Sequence, residues 1–309
     1  MQTKTIGSLE VSAVGLGCNN FGMRIDEVAS ANVLHAALDQ GIRCLDTADV
    51  YGATMSETWI GAHLGKDRDE AVIVTKFGSP LGADQPGGAS SDYVRQAAEA
   101  SLRRLKTDRI DLYLLHRPDP DTSIADTLAA MDELVSQGKV REIGCSNFSA
   151  DQLREADSAV QQGAARFVTV QNHYNLIRRR DDGDVIPVCQ ELGIGYMPYF
   201  PLASGMLTGK YRRGETPPDQ TRLSWMGDRA AGLLADSNFD AVEQLSAWAE
   251  ARGHSVAELA IAWLASQSVF NCVIAGATRP EQVAENARAG DWVLADDEVA
   301  EVGSITARS

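Results

Sequence analysis

The sequence predicts an α/β fold of the (β/α)8 TIM-barrel class, with an N-terminal β-hairpin and extra helices and loops. Short apolar runs alternate with amphipathic stretches almost throughout, a pattern typical of parallel strands joined by crossover helices. The number of strand–helix units is about eight, and 309 residues match such a barrel with small additions. No Pro/Gly/Ser-rich linker or internal repeat divides the chain, so we expect residues 1–309 to form one domain.

The elements follow one another in a regular order. TKTIG and LEVSAV are typical of a small hairpin, AVGLG begins the barrel, and Gly41 ends an amphipathic helix at 27–40. The remaining units are IRCLD with a helix from Ser56, AVIVTK with a helix from Asp92, IDLYLLH with a helix near 123–137, VREIGCSN with a helix from Ser149, FVTVQN with a helix near 184–192, IGYMPYF with an irregular insert and two helices, and CVIAG with one final helix. Residues 212–237, rich in Gly, Pro, Asp and Arg, are predicted to be a lid or mobile loop.

The composition limits the classes of protein to consider. With 44% hydrophobic and 23% charged residues, the chain is typical of a globular protein with a substantial core. A formal net charge of −15 argues against nucleic acid and anionic membranes as partners. No signal-like or membrane-spanning run is apparent, and the five cysteines are scattered without a Cys-x-x-Cys pair. We therefore expect a cytoplasmic protein with reduced core thiols and no metal site.

Ionisable residues stand at the ends of the apolar runs. In a (β/α)8 barrel the chemistry lies where the strands end and the βα loops begin. Asp46, Lys76 and His116 end three successive runs, and Tyr51 follows Asp46 in the next loop. Taken singly, each has an ordinary structural explanation, such as a helix cap, a rim charge or turn packing. Together they are expected to point into one barrel mouth.

This grouping suits protonation of a carbonyl oxygen. A free tyrosine has a pKa near 10, and a neighbouring ammonium lowers it. Lys76 is expected to lower the pKa of Tyr51, Asp46 to hold Lys76, and His116 to orient a substrate oxygen. The chain shows neither an activated nucleophile nor a metal-ligand cluster, so the attacking group must be supplied from outside. A hydride from a nicotinamide is the natural candidate.

Seven separated segments resemble the aldo-keto reductase superfamily, in the same order and across nearly the whole chain. They are LDTADVYG with Glu57 and Gly61 beyond it, IVTK, DLYLLHRPD, GKVREIGCSNF, VQNHYN, YFPLASGMLTGKY and GATRPEQVAENA. The resemblance implies reversible nicotinamide-dependent reduction of small carbonyl compounds to alcohols. It also implies Tyr51 as general acid, Lys76 and Asp46 as the residues that tune it, and His116 as the residue that positions the carbonyl.

The resemblance further implies a set of cofactor contacts. Ser146, Asn147 and Gln171 match the groups that bind the carboxamide, and Tyr199 matches the aromatic ring that stacks on the nicotinamide. The segment that wraps the pyrophosphate contains Phe200, Pro201, Leu202, Ser204, Gly205 and Lys210. The strand-end residues Gly17, Cys18, Asp46 and Gly276 complete the contacts predicted in the barrel.

The segment at 278–281 is predicted to bind the adenosine end. Thr278 and Glu281 form a capping-box pattern with Pro280 at the first helical position. The free N–H groups of such a helix, with Arg279 alongside, are typical of an anion site, here for a 2′-phosphate. Further predicted contacts to this end are Gln282, Glu285, Asn286 and, from the insert, Arg222.

NADP(H) is the predicted cofactor, and NAD(H) is left open. Many reductases of the superfamily carry a basic residue where Gly276 or Gln282 stands. The pattern here resembles the branch that contains potassium-channel β subunits and bacterial reductases. The predicted substrate-pocket residues are Asn19, Phe21, Met23 and Trp225.

Two other functions compete with this interpretation. GLGCNNFG loosely imitates the glycine fingerprint of a Rossmann dehydrogenase, but the third glycine is missing and no helix begins directly after it. The second alternative is a regulatory subunit that binds NADP(H) in the same barrel and turns over slowly.

Overall fold

A computed structural model of the chain describes residues 1–82, 85, 87–219 and 221–307, without the side chains of 228 and 229. Eight parallel strands close into a barrel in the order β10-β3-β4-β5-β6-β7-β8-β9. The barrel strands are β3 (Val14–Gly17), β4 (Cys44–Asp46), β5 (Val72–Phe77), β6 (Ile110–Leu115), β7 (Val140–Ser146), β8 (Phe167–His173), β9 (Gly195–Tyr199) and β10 (Val273–Gly276). The (β/α)8 fold class predicted from the sequence is thereby confirmed.

Ten helices surround the barrel in the described part of the chain. They are α1 (Glu27–Asp39), α2 (Met55–His63), α3 (Ser91–Leu105), α4 (Ile124–Ser136), α5 (Ala150–Ser158), α6 (Val185–Leu192), α7 (Asp236–Glu250), α8 (Val256–Ala265), α9 (Pro280–Asp291) and α10 (Asp296–Ile305). The expectation of one final helix was wrong, because α9 is followed by α10. Residues 212–237 are not wholly irregular either, since 3₁₀ turns form at Leu223–Trp225 and Gly227–Ala230.

Local sequence signals account for where these elements begin and end. β5 and β6 are buried along their whole length, as expected for strands covered on both faces. Ser149 and Ser255 begin α5 and α8 with complete capping boxes. Gly193 ends α6 in the left-handed conformation, with φ of 65°.

The hairpin of β1 (Thr3–Ile6) and β2 (Leu9–Ser12) closes the floor of the barrel. Its apolar side chains Ile6, Leu9 and Val11 share one buried cluster with inward-facing residues of the barrel strands. The Lys4 Nζ donates to the carbonyl oxygens of Gln267 and Phe270, at 3.0 and 2.7 Å. The open end is therefore the opposite one, where the strands end.

Two further properties of the described residues bear on function. No helix among them is long and apolar enough to cross a membrane, and they contain no group of His, Cys, Asp and Glu side chains placed to hold a metal ion. All five cysteines are buried and free.

Candidate active site

A cavity of about 860 Å³ opens at the carboxyl ends of the barrel strands. Its walls come from widely separated parts of the chain, because parallel strands end at the same rim. The predicted site residues found in its lining are Gly17, Asn19, Asp46, Tyr51, His116, Ser146, Asn147, Gln171, Tyr199, Phe200, Pro201, Leu202, Ser204, Gly205, Lys210, Arg222, Gly276, Thr278, Arg279 and Gln282.

Lys76 is completely buried inside the barrel beneath this cavity, and its ammonium has three acceptors. It forms an ion pair of 2.8 Å with Asp46 Oδ1 and donates to the Thr47 carbonyl oxygen at 2.6 Å and, more weakly, to Tyr51 Oη at 3.5 Å. Burial alone would favour the neutral amine, but Asp46 and then Tyr51 outweigh it, so the pKa of Lys76 is raised. The residue is therefore a fixed positive charge under Tyr51.

Tyr51 is held at the mouth by a tight loop after β4. Gly52, with φ of +57°, lies so close to the neighbouring loop that a Cβ would stand 2.3 Å from the Phe21 carbonyl oxygen. Burial raises the pKa of the Tyr51 phenol, and the opposing effect of Lys76 does not cancel it. The predicted influence of Lys76 is in the expected direction, but the sequence does not show how far the fold removes the phenol from water.

His116 follows β6 and faces Tyr51 across the mouth. The two rings meet edge to face with centroids 5.9 Å apart. Burial, then Lys76 and Arg117, lower the pKa of His116 to about 3, so the imidazole is neutral at physiological pH. Its Nδ1 has no hydrogen-bond partner among the described residues. A neutral ring retains one N–H group that can donate to a substrate oxygen.

The ends of β7, β8 and β9 are joined by side-chain hydrogen bonds. Gln171 Nε2 donates to Asp46 Oδ1 at 2.8 Å, and Ser146 Oγ donates to the Gln171 carbonyl oxygen at 2.7 Å. Tyr199 Oη donates to Asn147 Oδ1 at 2.7 Å, while Asn147 Nδ2 donates to the His116 carbonyl oxygen at 2.9 Å. This network connects the four predicted carboxamide and stacking residues with Asp46.

The segment after β9 forms a cradle of unusual backbone conformation. Phe200, Ala203 and Ser204 have φ of 57°, 46° and 59°, in the left-handed region that non-glycine residues rarely adopt. Gly205 has φ of +93°, a conformation that residues with a side chain rarely adopt, and this explains the glycine. Arg222 stacks over the Phe200 ring at 4.2 Å, so the insert contributes a second cation to this wall.

The start of α9 differs from the sequence prediction in its capping. Arg279 is the N-cap and no side chain caps the helix, although Pro280 does occupy the first turn as expected. The prediction of a capping box between Thr278 and Glu281 was wrong. The Thr278 N–H instead donates to Gln282 Oε1 at 2.8 Å. The Arg279 side chain is 60% exposed and 3.7 Å from Glu281, and it remains accessible to a ligand.

Seven predicted site residues do not lie in the described cavity lining, and one of them is Lys76, which is buried beneath it. Cys18 and Phe21 are fully buried, because the loop after β3 turns them into the core. Met23 and Trp225 are each 60% exposed at the rim. Asn286 is buried and Glu285 is exposed along α9, beyond the end of the cavity.

Sequence reasoning missed several lining residues, which are Asn20, Arg24, Arg117, Thr208, Thr221, Ile274 and Ala277. Arg117 could have been found, because it directly follows His116 at a strand end. Arg24 carries no such signal, since its loop position only becomes clear once the chain is folded.

The fold and the site together define a class, that of TIM-barrel oxidoreductases. A phenol lies above a buried ammonium at the barrel mouth, and a cationic trough leads from it towards α9.

Comparison with known proteins narrows the class. The family model described as "Aldo/keto reductase family" matches residues 13–307, and the chain belongs to that family. It is 35% identical over 304 residues to a probable voltage-gated potassium channel subunit beta of Arabidopsis thaliana, covering 95% of this chain and 92% of the relative. It is 35% identical over 300 residues to a putative subunit of the same name from Schizosaccharomyces pombe, covering 92% and 86%.

Solved structures show the same relationship. The glycerol dehydrogenase AKR11B4 from Gluconobacter oxydans superposes with a TM-score of 0.86 at 30% identity, covering 98% of this chain and 94% of that one. The aldo-keto reductase AKR11C1 from Bacillus halodurans, in its holo form, gives a TM-score of 0.82 at 27% identity, covering 99% and 97%. These neighbours support oxidoreductase activity.

Proposed function

We propose that this protein is an NADP(H)-dependent carbonyl reductase that interconverts small aldehydes or ketones with alcohols, with Tyr51 as the general acid. The observation that carries the proposal is the hydrogen bond from Lys76 Nζ to Tyr51 Oη, within a site that His116 completes. Since Tyr51 Oη accepts from the ammonium, its own proton is free to point into the cavity.

The residues divide the work on the carbonyl oxygen. Tyr51 donates its proton to that oxygen, and the neutral His116 orients it by donating a hydrogen bond. Lys76 stabilises the tyrosinate that forms, and Asp46 keeps the ammonium charged and in place. A bound nicotinamide dinucleotide would supply the hydride for the carbonyl carbon.

The trough fits such a dinucleotide in size and charge. Its volume of about 860 Å³ lies within the range of ligand cavities. Ser146, Asn147 and Gln171 offer amide and hydroxyl groups at the Tyr51 end, beside the Tyr199 ring. Lys210, Arg222 and Arg279 supply cations along the trough for phosphate groups. We assign the 2′-phosphate of NADP(H) to Arg279 at the start of α9.

The test is the variant Tyr51→Phe, measured as carbonyl reduction with NADPH and as NADPH affinity by fluorescence titration. We expect a loss of about 10² to 10⁴ in kcat, the usual contribution of a positioned acid, with nearly unchanged affinity. Tyr93→Phe is the matched control, because that hydroxyl has no described hydrogen-bond partner and lies outside the cavity lining. Full activity of Tyr51→Phe would refute the assignment.

A second candidate is a regulatory subunit that senses NADP(H) in the same barrel and turns over slowly. It is favoured by the names of the relatives from Arabidopsis thaliana and Schizosaccharomyces pombe, which are potassium channel β subunits. NADPH oxidation with nitrobenzaldehyde, methylglyoxal and pyridoxal separates the two. Tight NADPH binding with turnover below about one per minute on every compound would favour the sensor, against about 10 per second for a typical enzyme.

A further inference from the structure

The cavity lining is cationic, although the chain carries a formal net charge of −15. The cationic residues among its described lining are Arg24, Arg117, Lys210, Arg222 and Arg279. Asp46 is the one acid in that lining, and it is already paired with Lys76. The proposed cofactor contacts use three of the cations, which leaves Arg24 and Arg117 without a ligand.

Each of these arginines lies beside another residue of the cavity lining. Arg117 directly follows His116 and contributes to the low pKa of that imidazole, after burial and Lys76. Arg24 lies near Arg222. The pKa of Arg222 is lowered by burial and then by the Arg24 charge, while Tyr51 acts in the opposite direction. The Arg117 guanidinium therefore lies beside the carbonyl-positioning imidazole, and the Arg24 guanidinium lies beside Arg222 in the same cavity.

The protein itself does not neutralise these charges. No ion pair joins Arg24 or Arg117 to a carboxylate among the described side chains. The Nη2 of Arg24 is buried without a described hydrogen-bond partner, while its guanidinium stacks on the Trp225 ring at 3.9 Å. Because buried donors are normally satisfied, this arrangement is expected to be completed by a ligand.

We propose that the substrate is an anionic carbonyl compound, whose carboxylate or phosphate group is held by Arg117 and Arg24 while its carbonyl faces Tyr51 and His116. The inference rests on the proposed reductase function and names its substrate class. In the reaction the carbonyl carbon gains a hydride and the oxygen gains the Tyr51 proton. The product is a hydroxy acid or a hydroxy phosphate ester, and the anionic group is unchanged.

Arginine suits this task better than a general positive surface would. Its planar guanidinium forms paired hydrogen bonds with carboxylate or phosphate oxygens, which fix the orientation of the bound group. A neutral aldehyde would leave two cations without a counter-charge in a partly desolvated cavity.

The experiment compares matched substrates at saturating NADPH. One pair is 4-carboxybenzaldehyde and 4-nitrobenzaldehyde, and the other is glyceraldehyde 3-phosphate and glyceraldehyde. We expect kcat/KM to be at least about tenfold higher for the anionic member of one pair, and the preference to fall with added salt. The pair that responds identifies the group as carboxylate or phosphate.

Variants test whether Arg117 and Arg24 produce the preference for anionic substrates. Arg117→Gln and Arg24→Gln are each expected to reduce the anionic-to-neutral ratio of kcat/KM by about tenfold, the loss of one charge-assisted contact. Arg103→Gln is the control, because Arg103 lies in the last turn of α3, at the opposite end of the barrel. An Arg24→Gln variant that alters only the KM for NADPH would contradict the assignment of Arg24 to the substrate.

The outcomes separate this inference from the proposed function. Reduction of the neutral members with no anionic preference, or an unchanged ratio in both variants, would overturn the inference and leave the reductase intact. Absence of turnover on all four compounds would overturn the reductase. In that case calorimetric titration of 4-carboxybenzaldehyde and 4-nitrobenzaldehyde still tests whether the cavity prefers an anion. Equal affinities for the two compounds would contradict the proposed anion site.

Discussion

Asp49 is a buried acid between Asp46 and Tyr51, in the loop that positions the proton donor. Its N–H donates to the Lys76 carbonyl oxygen at 3.1 Å, so the loop continues the hydrogen bonding of the strands. Neither carboxyl oxygen has a partner among the described residues. Burial, and then Glu57, raise the pKa of Asp49 to about 7. The folded protein is therefore less stable with an ionised Asp49 than it would be with a neutral side chain at this position.

Replacing Asp49 by Asn is expected to stabilise the protein in a pH-dependent way. In the unfolded chain the carboxyl ionises near pH 4, whereas in the folded protein it keeps its proton until about pH 7. Stability is therefore full below pH 4 and is lost as the pH rises towards 7. Asp49→Asn should raise the free energy of unfolding by up to about 4 kcal/mol at pH 8, and far less at pH 4.5.

Urea denaturation at the two pH values checks this expectation. Asp108→Asn is the matched control, because that carboxylate is exposed. An equal effect of Asp49→Asn at both pH values would show that its carboxyl ionises normally in the folded protein.

The crossing of α2 and α3 shows how an element supports the site from outside the barrel. Glu57 of α2 is fully buried, accepts from Thr75 Oγ1 of β5 at 2.5 Å and pairs with Arg104 Nε of α3 at 2.6 Å. Thr75 precedes Lys76, so this contact anchors the outer side of the strand that carries the ammonium. Gly61 allows the two helices to approach this closely.

Gly61→Ala is expected to separate these helices. A Cβ at this position would stand 2.3 Å from the Arg104 carbonyl oxygen and 2.7 Å from the Leu105 Cα, which are backbone atoms that cannot rotate away. We expect a loss of about 3 kcal/mol in the free energy of unfolding, at the upper end for overpacking. Thermal and urea denaturation measure it, with Gly232→Ala as the control because a Cβ there meets nothing within 4 Å. A stability equal to that of Gly232→Ala would contradict the packing argument.

Arg279 at the start of α9 is expected to determine the preference for NADPH over NADH. Arg279→Ala should raise the KM for NADPH by about tenfold, through loss of one hydrogen bond to a charged group, and leave the KM for NADH nearly unchanged. Arg288→Ala is matched, since Arg288 lies on the same helix near its other end and is similarly exposed. Equal changes for NADPH and NADH would remove the 2′-phosphate role of Arg279.

At the scale of the whole molecule, the insert after β9 folds back over the barrel mouth. Trp225 of the insert stacks on Arg24 of the loop after β3, and Arg222 stacks on Phe200. Leu223 and Ala230 are buried, so the described part of the insert packs on the rest of the protein.

Cofactor binding should therefore protect the insert from proteolysis. Trypsin can cleave after Arg212 and Arg213, which are exposed. At NADPH concentrations of about ten times the dissociation constant, mass action should slow this cleavage by about tenfold. Gel analysis and mass spectrometry follow the fragments, and casein cleavage under the same conditions shows whether NADPH inhibits trypsin itself. Unchanged cleavage would mean that the insert does not close over the ligand.

Some features of the fold and the site could be predicted from the sequence, and others could not. The barrel, the position of Asp46, Tyr51 and His116 at its mouth and that of Lys76 beneath them were predicted from apolar runs that end in polar residues. The direction of the Tyr51 pKa shift was not, because it depends on burial by residues distant in sequence. The cap of α9 was missed for a related reason, since Gln282 competes for the Thr278 N–H. The inward turn of Cys18 and Phe21 depends on the loop after β3, whose conformation no periodicity records.

The plugged floor has a consequence for the order of events during turnover. The hairpin closes one end, and in the described part of the chain the cavity opens at the rim beneath the insert. If the nicotinamide lies over Tyr199 as proposed, a carbonyl compound must arrive after the dinucleotide and its alcohol must depart first. Cofactor and substrate then bind and leave in a fixed order, and the slowest of these steps sets the turnover rate.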